Sequence, residues 1–296
     1  MRRGLVLVVV AVACSRRQPD ASEAFVASRD AAPPRASDAG AAGDSTVLRP
    51  ALEGFPPQLE LIGPAGAAAK LGVVAVPLGA REPRPLMLAL HGGSDRPEWA
   101  CNAWRGITGG YPILVCPRGV GASEASLAWS SPADTKSRIA QAIAATKTIL
   151  GAWVRETDTI VLAGFSMGAT QAALLAQSDP ATYRRLVLAE SAYAPEPAMA
   201  FAKPWATGGG QRAIFLCTTR GCEGPYRSAA RNVARQGGRA RLDIAGTNQH
   251  GMWDVVVQSM RRDWPWLVEG AEGWERYAPP LEEGALPGKT ETFDPP

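Results

Sequence analysis

A serine between two glycines is the strongest chemical signal in this chain, and it occurs in the pattern Gly164-x-Ser166-x-Gly168. An apolar run, Thr159–Ala163, precedes it, and an alanine-rich segment, Met167–Gln177, follows it. A serine on a tight turn from a strand into a helix leaves no room for side chains at its second neighbours, so glycine is required there. Such a turn lifts the hydroxyl above the sheet, where the first N–H groups of the helix also point. We therefore predict that Ser166 is a nucleophile; a glycine-rich turn without chemistry is the alternative.

A histidine after the last predicted strand is the candidate base. His250 lies in the segment Gly246–Trp253, which precedes a predicted C-terminal helix. A neutral imidazole accepts a hydroxyl proton near pH 7 and returns it to a leaving group. The chain has only 2 histidines, and the other, His91, is expected to pack under its own loop. A surface or core position without a chemical role is the alternative for His250.

A second glycine-rich turn, His91-Gly92-Gly93, follows the apolar run Leu86–Leu90. Glycines at such a point allow a backbone N–H to approach a developing negative charge closely. A preorganised donor of this type lowers a reaction barrier by about 3–4 kcal/mol. The turn is therefore a candidate for stabilising an anionic intermediate.

Apolar runs and helical segments alternate along the chain and must position these residues. Short apolar runs bounded by glycine or polar residues are typical of strands buried on both faces of a parallel sheet. The predicted strands are Gln58–Ile62, Val73–Pro77, Leu86–Leu90, Ile113–Cys116, Thr159–Ala163, Leu186–Ala189, Ile214–Cys217 and Arg241–Ile244. The predicted helices are Asp134–Leu150, Met167–Gln177, Arg227–Arg235 and Val255–Asp263. This alternation predicts an α/β protein with a doubly wound, mostly parallel sheet.

These residues, in this order, resemble the α/β-hydrolase superfamily, and most of all small esterases with Gly-Phe-Ser-x-Gly. The resemblance extends from Leu71 to about Arg262. It implies a Ser–His–acid triad that cleaves a small-molecule ester or related acyl bond through an acyl-enzyme, with no metal or organic cofactor. It also implies oxyanion-hole donors at the Gly93 and Met167 amides. It implies no particular substrate.

The acid of the triad is where the sequence departs from the family. Members usually carry Asp in the loop before the His-bearing strand, but here the loop Cys217–Pro225 holds only Glu223. Since Glu can orient an imidazole as Asp does, we predict Glu223 as the acid. Glu190, directly after the run Leu186–Ala189, is the alternative acid because some hydrolases take it from that earlier strand. A Ser–His dyad with two solvated carboxylates remains a further possibility.

Cysteines and a short insertion flank these loops. If Cys14 carries lipid, four cysteines remain, and an oxidising compartment favours the possible disulfides Cys217–Cys222 and Cys101–Cys116. The alternative is buried free thiols.

The 23 residues Ser191–Ala213 lie where the α/β-hydrolase fold inserts a cap. We therefore expect a short cap insertion and an open site. The large apolar residues of this insertion either line a pocket or fill the core; they are Tyr193, Met199, Phe201 and Trp205.

Both ends of the chain differ from the middle. Residues 1–14 combine Arg2 and Arg3 with an apolar run and small residues before Cys14. They resemble a bacterial lipoprotein signal peptide, which implies cleavage before Cys14, lipidation of its thiol and export to the cell envelope, either lipid-anchored or secreted. Residues 15–50 are rich in Ala, Pro, Ser and Asp and are predicted to be a disordered linker. We predict the catalytic domain at 51–274 and a loosely held, Pro-rich tail at 275–296.

Composition excludes several functions. With 31 basic and 28 acidic residues, the formal net charge is +3, and no basic stripe indicates nucleic acid as a partner. The Cys and His residues lack zinc spacing, so we predict no metal. The only expected membrane contact is the N-terminal lipid anchor, and the oligomeric state is left open. A peptidase or acyltransferase of the same fold, and a non-catalytic binding lipoprotein with a hydrolase fold, are the alternatives to an esterase.

Overall fold

The computed structural model describes residues 49–64, 69–191, 200–281 and 284–296. The expected signal peptide, with Cys14, and nearly all of the expected linker lie outside the described residues. Ten of the described strands form one sheet and two form a separate antiparallel hairpin. The strands are β1 (Gln58–Ile62), β2 (Lys70–Ala75), β3 (Arg84–Leu90), β4 (Ile113–Pro117), β5 (Val120–Ser123), β6 (Ser126–Ala128), β7 (Val154–Arg155), β8 (Val161–Phe165), β9 (Arg185–Ala189), β10 (Arg212–Cys217), β11 (Arg239–Ile244) and β12 (Lys289–Phe293). The helices are α1 (Pro97–Thr108), α2 (Pro132–Leu150), α3 (Met167–Ser178), α4 (Ala202–Thr207), α5 (Arg220–Arg235) and α6 (Val255–Val268).

The strand order decides where a site can form. It is β1-β2-β4-β3-β8-β9-β10-β11-β12, and β7 also pairs with β3. The pairs from β4 to β11 are parallel, whereas β1, β2 and β12 join the sheet antiparallel. After β3 the chain turns to β4 on one side and later to β8 on the other. In open α/β sheets, the crevice beyond the carboxyl ends of strands at such a switch point is where ligands bind.

Two apolar layers hold the helices against the sheet. One layer packs the sheet against α2, α3, α4 and α5, and the other packs it against α1 and α6. Trp104 of α1 and Trp264 of α6 are fully buried in the second layer, with ring centroids 6.1 Å apart. The central strands are apolar throughout because both of their faces are covered. The doubly wound, mostly parallel sheet expected from the sequence is therefore present.

The C-terminal tail differs from the expectation. Instead of being loosely held, residues Lys289–Phe293 form β12, which pairs antiparallel with β11 along five residues. Glu291 accepts two hydrogen bonds from the Arg227 guanidinium, at 2.7 Å each, and Thr290 Oγ1 donates to Asp263 at 2.6 Å. Polar side chains therefore anchor a strand that carries no apolar run, which is why its sequence resembled a tail.

Helices also depart from their predicted bounds. Helix α1 was not predicted, and α5 begins at Arg220 although Pro225 lies inside it. Pro225 is the sixth residue of the helix, beyond the first four N–H groups that have no partner, so α5 contains it at the loss of one backbone hydrogen bond. Placing the start of α5 after Pro225 was therefore wrong by seven residues.

Residues 192–199 of the insertion between β9 and β10, which include Tyr193 and Met199, lie outside the described residues. Phe201 and Trp205 are fully buried and pack on each other, and Phe201 also packs on Phe215. The Trp205 indole N–H donates to the carbonyl of Tyr183 at 2.7 Å. These two aromatic residues therefore fill the core and do not wall a pocket.

Both expected disulfides are present. Cys101–Cys116 joins α1 to β4 with a Cα–Cα distance of 5.8 Å, and Cys217–Cys222 joins the end of β10 to the first turn of α5 at 5.7 Å. Both distances fall in the usual range for a disulfide. In the part of the chain that the structure describes, no helix has the length and apolarity needed to cross a membrane.

Candidate active site

Ser166 occupies the turn between β8 and α3 with a backbone that few residues adopt. Its φ is 53° and its ψ is −119°. The two flanking glycines are required by close approach: a Cβ on Gly164 would overlap the carbonyl of Gly168, and one on Gly168 would overlap the carbonyls of Leu90 and His91. The turn therefore packs directly against the end of β3. It presents the Ser166 hydroxyl above the carboxyl ends of the central strands.

The side chains of Ser166, His250 and Glu190 form a continuous chain of hydrogen bonds. Ser166 Oγ lies 3.0 Å from His250 Nε2, and His250 Nδ1 lies 3.1 Å from Glu190 Oε2. The ring of Phe165 packs on the imidazole, with the centroids 4.8 Å apart. A carboxylate can only accept, so the neutral imidazole carries its proton on Nδ1. Nε2 is then left as the acceptor for the serine hydroxyl, as general-base chemistry requires.

Glu190 is buried and tightly held. Its φ is 55°, and only 1% of its surface is exposed. Its carboxylate accepts hydrogen bonds from the N–H of Thr218 and, at 2.9 Å, from the N–H of Thr219, and the Thr219 hydroxyl donates to it at 3.1 Å. Burial alone would raise the pKa of the Glu190 carboxyl. The hydrogen bonds from His250 and from the Thr218 and Thr219 backbone outweigh burial and hold this pKa below its usual value. Glu190 is therefore ionised at neutral pH.

Glu223 does not take the position expected for the acid. It lies in the first turn of α5, where its carboxylate faces Arg227 at 3.7 Å, one helical turn further along. In the described residues the carboxylate that meets His250 comes from the end of β9, which is the alternative position considered from the sequence. The physical reason is that the chain passes directly from Thr219 into α5, which carries Glu223 onto the helix surface.

His91 is structural, as the sequence suggested. It is fully buried, its Nε2 accepts the N–H of Gly119 at 3.0 Å, and its Nδ1 lies 2.7 Å from the carbonyl of Gly92. Its ring packs on Trp129, whose indole N–H donates back to the His91 carbonyl at 2.8 Å. Burial lowers the pKa of the imidazole. A neutral His91 therefore braces the loop that carries Gly93.

The two proposed anion-stabilising amides belong to Met167, directly after the serine, and to Gly93, in the loop after β3. Met167 is the first residue of α3 and Gly93 follows β3, and a Cβ on Gly93 would come within 3.3 Å of Met167 Cε. Within the described parts of the chain, neither the Gly93 nor the Met167 N–H donates a hydrogen bond. The preceding amide, Gly92 N–H, is instead occupied by Asp95 at 3.0 Å. Both N–H groups are therefore available to donate to a negatively charged oxygen.

Two threonines of the site were missed from the sequence. Thr218 and Thr219 follow β10 and supply the donors to Glu190, and Thr218 Oγ1 also donates to the carbonyl of Gln249 at 2.7 Å. The only sequence signal for them is their place after a buried strand, since any residue type except proline can supply a backbone donor.

Glu190, Cys217 and Cys222 lie close enough together to suggest metal ligation. Both sulfurs are committed to a disulfide, so no thiolate is free to bind a metal there.

Four tryptophans near the expected site differ in their environments. Trp104 fills the core and Trp129 covers His91. Trp99 is 45% exposed and Trp253, three residues after His250, is 48% exposed. Only these last two are free to border an open site.

No protein-family model matches the chain, and no curated protein sequence matches it. Solved structures do resemble it. The structure of Est1E from Butyrivibrio proteoclasticus with ferulic acid bound has a TM-score of 0.51 and 12% identity, covering 66% of this chain and 94% of that one. TT1662 from Thermus thermophilus has a TM-score of 0.49 and 16% identity, covering 72% and 98%. FphF, a fluorophosphonate-binding serine hydrolase from Staphylococcus aureus, has a TM-score of 0.49 and 15% identity, covering 71% and 97%. With this sheet order and the serine turn after β8, the chain has the α/β-hydrolase fold.

Proposed function

We propose that this protein is a serine hydrolase that cleaves an ester or related acyl bond through an acyl-enzyme. Ser166 is the nucleophile, His250 the general base and Glu190 the acid that orients the imidazole. The hydrogen-bonded chain from Ser166 Oγ to Nε2, and from Nδ1 to Glu190, at 3.0 and 3.1 Å, is the observation that carries this proposal. The left-handed backbone of Ser166 adds to it, because such strain persists only where the surroundings enforce it.

Each residue has a defined step in the proposed reaction. As Ser166 Oγ attacks the acyl carbon, its proton passes to His250 Nε2, and the carbonyl oxygen becomes an oxyanion beside the Gly93 and Met167 N–H groups. The imidazolium gives that proton to the leaving oxygen, which departs as an alcohol. A water molecule then attacks the acyl carbon while His250 takes its proton, and the imidazolium returns this proton to Ser166 Oγ as the carboxylic acid leaves. The ionised Glu190 stabilises the imidazolium in both halves of the reaction.

Two features of the chain, its disulfides and its N-terminal sequence, support a proposed cellular location. The two disulfides fit a protein exported to an oxidising compartment. We propose that Cys14 is the lipidated residue and that the membrane is contacted only through this anchor. Incorporation of labelled palmitate by the wild-type protein, lost in Cys14→Ala, is the expected result. Palmitate label retained by Cys14→Ala would contradict the anchor.

A fluorophosphonate probe tests the proposed function directly, because it reacts only with an activated serine. We expect labelling of the wild-type protein, none of Ser166→Ala, slow labelling of Glu190→Gln and normal labelling of Glu223→Gln. A folded wild-type protein that takes up no probe would contradict the proposal and leave a non-catalytic binding protein in its place. Turnover of p-nitrophenyl esters but not of peptides would separate an esterase from a peptidase.

A further inference from the structure

The six residues from Cys217 to Cys222 form a turn closed by a disulfide, which we call the bridged turn. It connects the end of β10 to the first turn of α5. Both sulfurs are buried, and Cys222 Sγ lies 3.0 Å from Glu190 Oε1. A disulfide-bonded sulfur has no hydrogen to donate, so this is a packing contact that limits movement of the carboxylate and not a hydrogen bond.

The bridged turn also supplies the backbone donors that hold Glu190. Two successive N–H groups, of Thr218 and Thr219, point at the same carboxylate oxygen. Successive amides converge on one acceptor only in a particular backbone conformation, which forms an anion-binding concavity. The disulfide closes a short ring around these two residues, and so it restricts the backbone to conformations close to this one.

The bridged turn holds the histidine loop as well. The N–H of Asn248 donates to the Thr218 carbonyl at 2.8 Å, and Thr218 Oγ1 donates to the Gln249 carbonyl at 2.7 Å. Asn248 itself has a φ of 53°. One turn therefore sets the position of the Glu190 carboxylate and of the residues just before His250. A shift of the turn would displace both partners of the Nδ1 hydrogen bond.

We infer that the Cys217–Cys222 disulfide is a positioning element for catalysis, because it fixes the bridged turn that holds Glu190 against His250. This inference rests on the proposed function. The bridge does not act as a redox sensor, since sensor cysteines are solvent-accessible and both of these are fully buried. Its task is a constant geometry of the acid and the base.

The second disulfide provides a matched control. Cys101–Cys116 is also buried, but it spans 15 residues where Cys217–Cys222 spans 5, and it joins α1 to β4. A disulfide that closes a longer loop removes more entropy from the unfolded chain. Loss of the control bridge should therefore lower the thermal midpoint, Tm, more than loss of the positioning bridge. The effect on catalysis should be the opposite.

The experiment compares Cys217→Ala/Cys222→Ala with Cys101→Ala/Cys116→Ala, using a short-chain p-nitrophenyl ester as substrate. In the first variant we expect kcat to fall at least tenfold and KM to stay within twofold. In the control we expect kcat to stay within threefold while Tm falls further. Equal kcat values in wild type and in Cys217→Ala/Cys222→Ala would overturn the inference. Should the alanine pair not fold, Cys217→Ser/Cys222→Ser takes its place, and failure of both pairs to fold would make the bridge purely structural.

A double-mutant cycle shows whether the bridge acts through Glu190. In a Glu190→Gln background, removal of the bridge should lower kcat by a smaller factor than in wild type, because the carboxylate that it positions is already gone and only its hold on the histidine loop remains. An equal loss of kcat in both backgrounds would overturn the inference. The behaviour of the wild type separates the two claims. A wild-type protein without turnover or fluorophosphonate labelling would contradict the proposed function itself. An active wild type together with an unaffected bridge variant would contradict only the positioning role of the disulfide.

Discussion

Replacing Glu190 by Gln removes one negative charge next to the imidazole and changes the size of the side chain little. In the proposed mechanism His250 becomes an imidazolium, with Nδ1 placed 3.1 Å from Glu190 Oε2. Coulomb's law at an effective dielectric constant of about 20 gives an attraction of about 5 kcal/mol at this distance. The Glu190 side chain is 1% exposed but that of His250 is 34% exposed, so solvent screens part of this attraction.

We therefore expect Glu190→Gln to lower kcat by about 100- to 1,000-fold, which corresponds to about 3–4 kcal/mol of barrier. KM should change little, because the charge acts on the transition state and not on bound substrate. The assay is steady-state hydrolysis of a p-nitrophenyl ester at pH 7 to 8, with active-site titration to count folded enzyme.

Glu223→Gln is the matched control, since it makes the same chemical change in a carboxylate whose charged partner is Arg227. We expect its kcat to stay within twofold of wild type. A loss of activity in Glu223→Gln equal to that in Glu190→Gln would refute the assignment of the acid. A loss below threefold in Glu190→Gln would refute the electrostatic argument and favour a Ser–His dyad.

Three further predictions concern stability. Burial raises the pKa of Asp243 to about 7, against 3.8 for the free side chain. The contribution of Asp243 to stability is therefore full below pH 3.8 and is lost as the pH rises through 7. Between pH 4 and 8, the free energy of urea unfolding of the wild type should fall by about 2–4 kcal/mol relative to that of Asp243→Asn. A pH-independent difference between these two proteins would contradict that. Deleting residues 289–296 should lower Tm clearly because it uncovers the edge of β11. Glu291→Ala removes two partly exposed ion pairs, with Arg227 and Lys289, and should cost at most about 1 kcal/mol and lower Tm much less. Equal losses of Tm would argue against β12 as a structural strand. Trp205→Ala should cost about 3–5 kcal/mol in urea unfolding, because the indole is fully buried and hydrogen-bonded, whereas the half-exposed Trp253→Ala should cost less than about 1 kcal/mol.

Local patterns in the sequence were sufficient for the serine turn and for most of the sheet. Gly164 and Gly168 mark a turn in which neighbouring backbone leaves no space for a Cβ, a constraint that acts within a few residues. Buried parallel strands are apolar on both faces, so their runs are visible without knowledge of their neighbours. Together with the His91-Gly92-Gly93 turn, the order of Ser166 before His250 then gave the resemblance to one family of folds. The sequence favoured Cys217–Cys222 and Cys101–Cys116 because of the loops that they flank, and these two disulfides are present.

Which carboxylate meets His250 was decided only by the tertiary structure. Glu190 and Glu223 both follow strands that end at the same edge of the sheet, so sequence order alone could not separate them. The difference arises because β9 lies beside β8, which carries Ser166, whereas the chain enters α5 before it reaches Glu223 and turns that side chain toward Arg227. The donors to Glu190 are backbone N–H groups, which every residue except proline possesses.

The C-terminal strand was likewise hidden from the sequence. Lys289–Phe293 has no apolar run, and it forms a strand because β11 offers a free edge and because Asp263 and Arg227 are placed to meet Thr290 and Glu291. Sequence alone thus determined what depends on close neighbours along the chain: the serine turn and the alternation of strands and helices. Tertiary structure decided what depends on distant groups meeting: which carboxylate reaches the imidazole and which polar segment completes the sheet. The physical reason is that sterics and periodicity act over a few residues, whereas hydrogen bonds and ion pairs form wherever folding brings their partners together.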